Sequence, residues 1–395
     1  MRTPFHDPLI LPLEGEYLGL STDLRICGVT ARTSPDLVNW SEPFPLLPET
    51  PASVRNLVGT DRFWAPELVK RGDVWRLYCC ASRPGRTQSV IGLAEARDPK
   101  GPYTYLGDVI ASQHSPAHNH ANAIDPCVIA DREGRDWLIY GSFFGGIRIL
   151  PLKENGFRDA FDEGRLIAAG GHRACEGAYC FYDDRRDRYV LFTSWGDLGV
   201  DYHIRVAYAQ DVTGPFVDSQ GFDMTDPDPI HIPGDKLVGG YNFDLPGLPG
   251  VMATGHNSLM QDDTGLYIVH HARPEGDRRR PFLQIRRLIL NEEGRCLAWP
   301  LTRDEHPLAQ VDALPETWRF VYLCRYNTGV VYGRPVSIAD AAPIHEGEKL
   351  RLTLFCKEWK GFVYRQGERI ACTLISPDGE ALWGVAESSP HIQKT

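Results

Sequence analysis

The chain has 395 residues, 42% of them hydrophobic and 24% charged, with a formal net charge of −10. That length is enough to bury a large core and predicts two domains. The acidic balance excludes nucleic acid, whose phosphates need a basic face, and no stretch is apolar and long enough to span a bilayer.

Met1-Arg-Thr-Pro-Phe5 runs straight into His6-Asp7-Pro8, leaving no apolar signal region. Ten cysteines are present, with no CxxC pair to suggest zinc. Several lie in apolar strand patterns (Cys27, Cys180 and Cys356), where a free thiol packs as a small core residue. These features predict a reduced, cytoplasmic protein.

From here the chain repeats itself. Aromatic-rich strands are predicted at 16–22, 74–82, 136–142, 188–194 and 266–273. Before them stand, in order, His6-Asp7-Pro8, Trp64-Ala-Pro-Glu67, Ala123-Ile-Asp125-Pro, Glu176-Gly-Ala-Tyr179 and Gly255-His-Asn-Ser258. After them come alternating strands at 26–31, 89–94, 146–150, 203–208 and 283–289. Tails such as 101–106 and 214–218 read as outermost strands. No segment carries helical periodicity over several turns. A strand-built period of roughly 50–80 residues means blades around an axis, hence a five-bladed β-propeller. A β-sandwich is the plainer alternative, but it does not account for the repeat.

The repeat stops near Pro300. The propeller is predicted over 1–305, followed by a linker around 305–315. Strands then follow at 317–322, 350–355, 361–364 and 370–375, closing on Ala381-Leu-Trp-Gly384. This predicts a C-terminal β-barrel or sandwich over 316–395 that packs on the propeller. The fold class is therefore all-β.

If each blade turns the same point toward the axis, Asp7, Asp125 and Glu176 converge. Glycoside hydrolysis needs a base to activate water and an acid to protonate the leaving oxygen. A third carboxylate nearby raises the acid's pKa. Any one Asp-Pro pair is ordinarily a turn; the joint pattern is what points to chemistry. Glu67 is expected at the corresponding place in the second blade, in a structural or supporting role. His256, at that place in the fifth, is either a satisfied structural residue or the holder of a cation with waters. His114, His118 and His120 read as a polar rim loop. Trp64, Phe143, Phe144 and Trp195 offer faces for a sugar ring, or else blade core.

At these motifs, with Asn122-Ala-Ile-Asp-Pro126, Gly141-Ser-Phe-Phe-Gly-Gly-Ile147 and the stretch 194–206, the chain resembles glycoside hydrolase family 43. It is most similar there to the two-domain arabinan endo-1,5-α-L-arabinanases. The resemblance implies an inverting mechanism with Asp7 as base, Glu176 as acid and Asp125 tuning Glu176. It implies calcium held by His256 and waters. It also makes Trp64, Asn122, Ser142, Phe144, His271 and Arg273 the expected substrate contacts. The substrate it implies is α-1,5-linked arabinan or its oligosaccharides, cleaved in endo or exo fashion. The alternatives are an α-L-arabinofuranosidase or β-xylosidase of the same family, or a carbohydrate-binding propeller without catalysis. The three acids argue against the last.

Overall fold

The computed structural model describes residues 3–387 apart from 86–87, 113–120, 161, 172 and 229. Five antiparallel sheets form the blades of a β-propeller. Their innermost strands are Leu9–Leu13, Trp64–Arg71, Cys127–Ala130, Cys175–Asp183 and Val251–Asp262. The aromatic repeat supplies the second strand of each blade: Glu16–Ser21, Val74–Ala81, Asp136–Ser142, Arg188–Trp195 and Gly265–Pro274. None of the described helices is long and apolar enough to cross a membrane.

The core lies between the blades. Alternation along each strand sends successive side chains to opposite faces, so both faces of a blade meet a neighbour. Leu18, Leu20 and Ala31 of blade 1 pack with Leu77, Cys79 and Val90 of blade 2. Tyr78, Ile91 and Leu93 turn the other way, onto Leu138 and Tyr140 of blade 3. The ring closes where Phe5 and Ile10 meet Met260, Val269 and Ile285 of blade 5.

Several boundaries differ from expectation. The third strand of blade 1 is Thr30–Ser34, because Gly28 has φ 82 and its N–H bonds Asp61 instead. The 214–218 tail forms only isolated bridges, Val217 to Tyr208 and to Asp223, and the outermost strand of blade 4 is Asp235–Val238. A short helix, Ala52–Val58, seats Val54 and Val58 against blades 1 and 2. Cys27 and Cys356 are exposed rather than core, whereas Cys180 is buried; all ten cysteines are free thiols.

After the blades the chain builds a single curled eight-stranded sheet. Its three central strands sort their side chains by alternation. Trp318, Phe320, Ile370, Cys372, Leu374 and Leu382 enter the domain's own core. Val321, Leu323, Ala371, Trp383 and Val385 enter a core shared with blades 4 and 5. One segment leaves this domain altogether: Val330–Tyr332 pairs in parallel with Gly240–Asn242, extending the sheet of blade 5.

One backbone feature recurs in every blade. Asp7, Ala65, Asp125, Gly177 and His256, the first four close to an inner strand's start and His256 within the long inner strand of blade 5, have φ of 51, 34, 57, 57 and 50. This left-handed conformation costs an L-residue roughly 1–2 kcal/mol, and Asp and Gly tolerate it best. Its N–H then points sideways to the preceding blade. Asp7 N–H reaches His271 Nδ1 at 3.3 Å, Ala65 N–H reaches Thr22 Oγ1 at 2.8 Å, and His256 N–H reaches Ser194 Oγ at 2.8 Å.

Candidate active site

That repeated backbone turn brings Asp7, Asp125, Glu176 and His256 together. His256 Nδ1 lies 3.1 Å from Asp7 Oδ1, and the Gly177 N–H donates to Asp125 Oδ2 at 3.1 Å. Gly177 suits its place on two counts: φ is positive, and a Cβ there would stand 3.1 Å from the His256 ring.

The carboxyls sit in different electrostatic surroundings. Burial pushes the Asp7 carboxyl up, but His256, His6, a hydrogen bond from Thr22 and Arg273 outweigh it, holding Asp7 below the usual carboxylate range. The Thr22 hydroxyl donates to Asp7 Oδ2 at 2.7 Å. Glu176 is shifted the opposite way, raised chiefly by burial and further by the charge of Asp7. Asp125 is raised too, by burial first and then by Glu176 and Asp7, against His256. His256 loses charge to burial but regains more from these acids, so its pKa rises. The pocket thus holds one carboxyl biased to the anion and two biased to the acid, the separation that acid–base chemistry requires.

The other expected residues fall in several environments. Ser142 donates to Glu176 Oε2 at 2.7 Å. His271 is fully buried behind Asp7, its Nδ1 3.6 Å from Asp7 Oδ1. Arg273 is buried, with Nε bonded to the Arg278 carbonyl and Nη1 unpartnered. Trp64 is half-buried, and Phe144 is 45% exposed. Asn122 is buried, with Oδ1 accepting from Ser89 at 2.5 Å. Trp195 is blade core, its indole bonded to Thr193, so it offers no sugar platform. Glu67 is not the counterpart of Asp7 in blade 2; Ala65 is. Glu67 lies two residues further on, buried, accepting from the Val128 N–H of blade 3 at 3.3 Å. His114, His118 and His120 lie outside the described residues.

Three contributors lie outside the expected site residues. Thr22 holds Asp7, His6 Nε2 lies 3.6 Å from Asp7 Oδ1, and the Tyr202 hydroxyl donates to Glu176 Oε1 at 3.0 Å. Thr22 and Tyr202 lie just outside strands, where alternation carries no signal; Tyr202 falls inside the 194–206 stretch. His6, Asp7 and His271 also place ligand atoms within 4.8 Å of one another, a set that could hold a metal ion.

The chain is similar to a known family and to several characterised proteins. The model for glycosyl hydrolases family 43 matches residues 2–291. The extracellular endo-alpha-(1->5)-L-arabinanase of Thermotoga petrophila is 31% identical over 73% of this chain and 69% of its own. The corresponding arabinanase 2 of Bacillus subtilis is 28% identical over 96% and 92%. The crystal structure of the Thermotoga petrophila endo-1,5-alpha-L-arabinanase aligns at TM-score 0.87 and 26% identity, covering 98% of this chain and 99% of that one. The Cellvibrio cellulosa alpha-L-arabinanase complexed with arabinohexaose aligns at TM-score 0.64 and 27% identity, covering 75% of this chain and 96% of that one. With its propeller, its converging acids and a family match across the blades, the chain belongs to glycoside hydrolase family 43.

Proposed function

We propose that this enzyme hydrolyses α-1,5-linked L-arabinofuranosyl bonds with inversion, in arabinan or arabino-oligosaccharides. The observation that carries this reading is the opposed bias of Asp7 and Glu176 within one cluster. Similarity to named arabinanases supports the choice of sugar. Asp7 takes a proton from water as the water oxygen bonds to the anomeric carbon. The glycosidic C–O bond breaks on the opposite face, and Glu176 gives its proton to the departing oxygen. Asp125, which accepts from the Gly177 N–H beside Glu176, is the neighbouring carboxyl that tunes this acid, and the ionised Asp7 supplies the negative charge that raises it.

Ser142 orients Glu176, and Phe144, at the exposed edge, offers a face for a sugar ring. Trp64, Asn122, His271 and Arg273 complete the proposed substrate-facing set. The unpartnered Arg273 Nη1 suits a sugar hydroxyl, since a buried donor without an acceptor is costly.

A calcium ion at His256 would take nearly all of its ligands from water. Calcium takes six to eight oxygen ligands, mostly water where protein oxygens are few. On the strand carrying His256, Thr254 Oγ1 and both side-chain polar atoms of Asn257 are buried without partners, as groups served by ordered water would be. His256 would hold the ion, which would supply positive charge beside the acids. The His6–Asp7–His271 set, rich in imidazole, suits a transition metal better and would occupy the base.

The test is a timed product profile on linear α-1,5-arabinan and short arabino-oligosaccharides, for wild type, Asp7→Ala and Glu176→Ala. Wild type is expected to release arabinose or arabino-oligosaccharides, with both variants folded and losing turnover by at least about 10²-fold. Product lengths separate endo from exo action. A near-normal rate in either variant would overturn the assignment. For the ion, calcium should raise the melting temperature of wild type and leave that of His256→Ala unchanged.

A further inference from the structure

Tyr202 touches both arms of this machinery. It opens the strand His203–Ala209, held by a turn in which the Asp197 carbonyl accepts from the N–H groups of both Asp201 and Tyr202. The ring is buried at 1% exposure. Its hydroxyl donates to Glu176 Oε1 at 3.0 Å, while Ser142 donates to Oε2 at 2.7 Å. Its face stacks on the His271 imidazole, with centroids 5.7 Å apart and planes 17° apart. His271 in turn receives the Asp7 N–H. Gly255 leaves room for this ring: a Cβ there would lie 2.1 Å from Tyr202 Cδ1. One aromatic plane therefore spans from the acid to the group that holds the base.

Resting on the acid role of Glu176 given above, we propose that Tyr202 is a positioning residue that dedicates Oε1 of Glu176 to a fixed hydrogen bond and leaves the transferable proton on Oε2. The two donors are not equivalent. The Ser142 hydroxyl rotates about one bond and can turn from donor to acceptor when Oε2 carries a proton. The Tyr202 ring is wedged between Gly255 and His271, and its hydroxyl also meets Ser194. Ser194 Oγ accepts from the His256 N–H, which leaves its O–H for the phenol oxygen and turns the phenol proton to Oε1. A phenol, with an ordinary pKa of about 10, stays protonated at neutral pH and continues to donate. In the forward step the Oε2–H bond breaks, a new O–H bond forms on the leaving oxygen, and the carboxylate left behind keeps two hydrogen bonds.

The expected signature is dependence on the leaving group. A departing sugar alkoxide needs the proton; a departing 4-nitrophenolate does not. In Tyr202→Phe the ring and its stacking remain and only the hydroxyl is lost. Its kcat on arabino-oligosaccharides should fall about 10- to 100-fold with KM within about twofold, while its rate on a 4-nitrophenyl arabino-oligosaccharide falls less than about threefold. The ratio of the two rates is the readout, because any loss of folded protein scales both alike. A ratio unchanged from wild type overturns the proposal, whether both rates fall together or neither falls. Glu176→Ala, run in parallel, separates the two readings. If its ratio shifts and that of Tyr202→Phe does not, only the role of Tyr202 fails; if neither shifts, the acid assignment fails with it.

Discussion

Glu67 carries a carboxyl whose pKa burial raises to about 8, with one hydrogen bond from Val128 and the charge of Arg71 opposing it. A group with a raised folded pKa binds its proton more tightly in the native state than in the unfolded chain. Its contribution to stability is thus present below the unfolded value of 4.5 and is lost as pH rises toward about 8. Glu67→Gln keeps the shape and the acceptor for Val128 while removing the titration. The variant should match wild type in melting temperature at pH 4.5 and exceed it at pH 8; a wild type as stable as the variant at pH 8 would refute the argument. Glu67 is therefore a joint between blades 2 and 3, not a reacting acid. Asp7, by contrast, carries the opposite shift in an equally buried place. The difference lies in the imidazoles and the Thr22 hydroxyl around Asp7, against a single backbone N–H at Glu67.

Among the elements, the segment between Val217 and Asp235 is the least ordinary. In place of a tight turn it carries Asp218 and Asp235 into a buried ionic knot with the C-terminal domain. Arg325 reaches Asp218 Oδ2 at 2.5 Å and Asp235 Oδ1 at 3.3 Å, and its own carbonyl accepts from Arg205 at 2.5 Å. Removing one partner of such a knot strands the others without water. Arg325→Met should cost about 3–5 kcal/mol of stability, read by denaturant unfolding, although it lies outside the catalytic cluster. A loss within about 0.5 kcal/mol would mean that the carboxyls find other partners. This knot also marks the limit of what the chain's pattern reveals. The apolar pattern located Val74–Ala81, His203–Ala209 and Phe282–Leu290 to within two residues, because most of each strand is buried. It could not place Asp235–Val238, whose pairing depends on contacts made by Arg325 some 90 residues away. The three acids were legible because a repeated backbone turn presents them. Tyr202 was not, because its partner Glu176 sits 26 residues away, two strands over in the same blade.

For the whole molecule, the two parts share one core. Trp299, 1% exposed, donates to Gln366 Oε1 at 2.7 Å, and the Thr373 hydroxyl donates to the Ala298 carbonyl at 2.8 Å. Trp383 packs edge-on against Tyr241 with centroids 5.3 Å apart. The Cellvibrio arabinanase that aligns over 75% of this chain is matched over 96% of its own length, so that propeller stands without the extra quarter. Here the outer strands of blade 5 present Trp299, Ala298 and Leu301 to the added sheet. We propose that 1–305 is the catalytic unit, but one that depends on its neighbour. Truncation after residue 305 should expose this apolar face and yield aggregated protein, or protein melting well below the full chain, by light scattering and thermal unfolding. A soluble fragment with unchanged melting temperature would show the halves to be independent.

The left-handed residue that every blade repeats has a consequence for how such a ring acquires chemistry. Its φ is set by the backbone and its N–H is satisfied by the preceding blade, so the slot constrains conformation far more than side-chain character. Asp, Ala, Asp, Gly and His occupy it in turn. The ring works as five sockets with a shared fitting, and what is plugged into each decides whether the axis binds, titrates or stays inert. Ala65 fills the inert socket, beside Thr22 and one residue from Trp64. Its methyl is buried in the apolar core between blades 2 and 3, so a polar side chain there would lose its water, and the second socket is closed to chemistry by packing rather than by backbone.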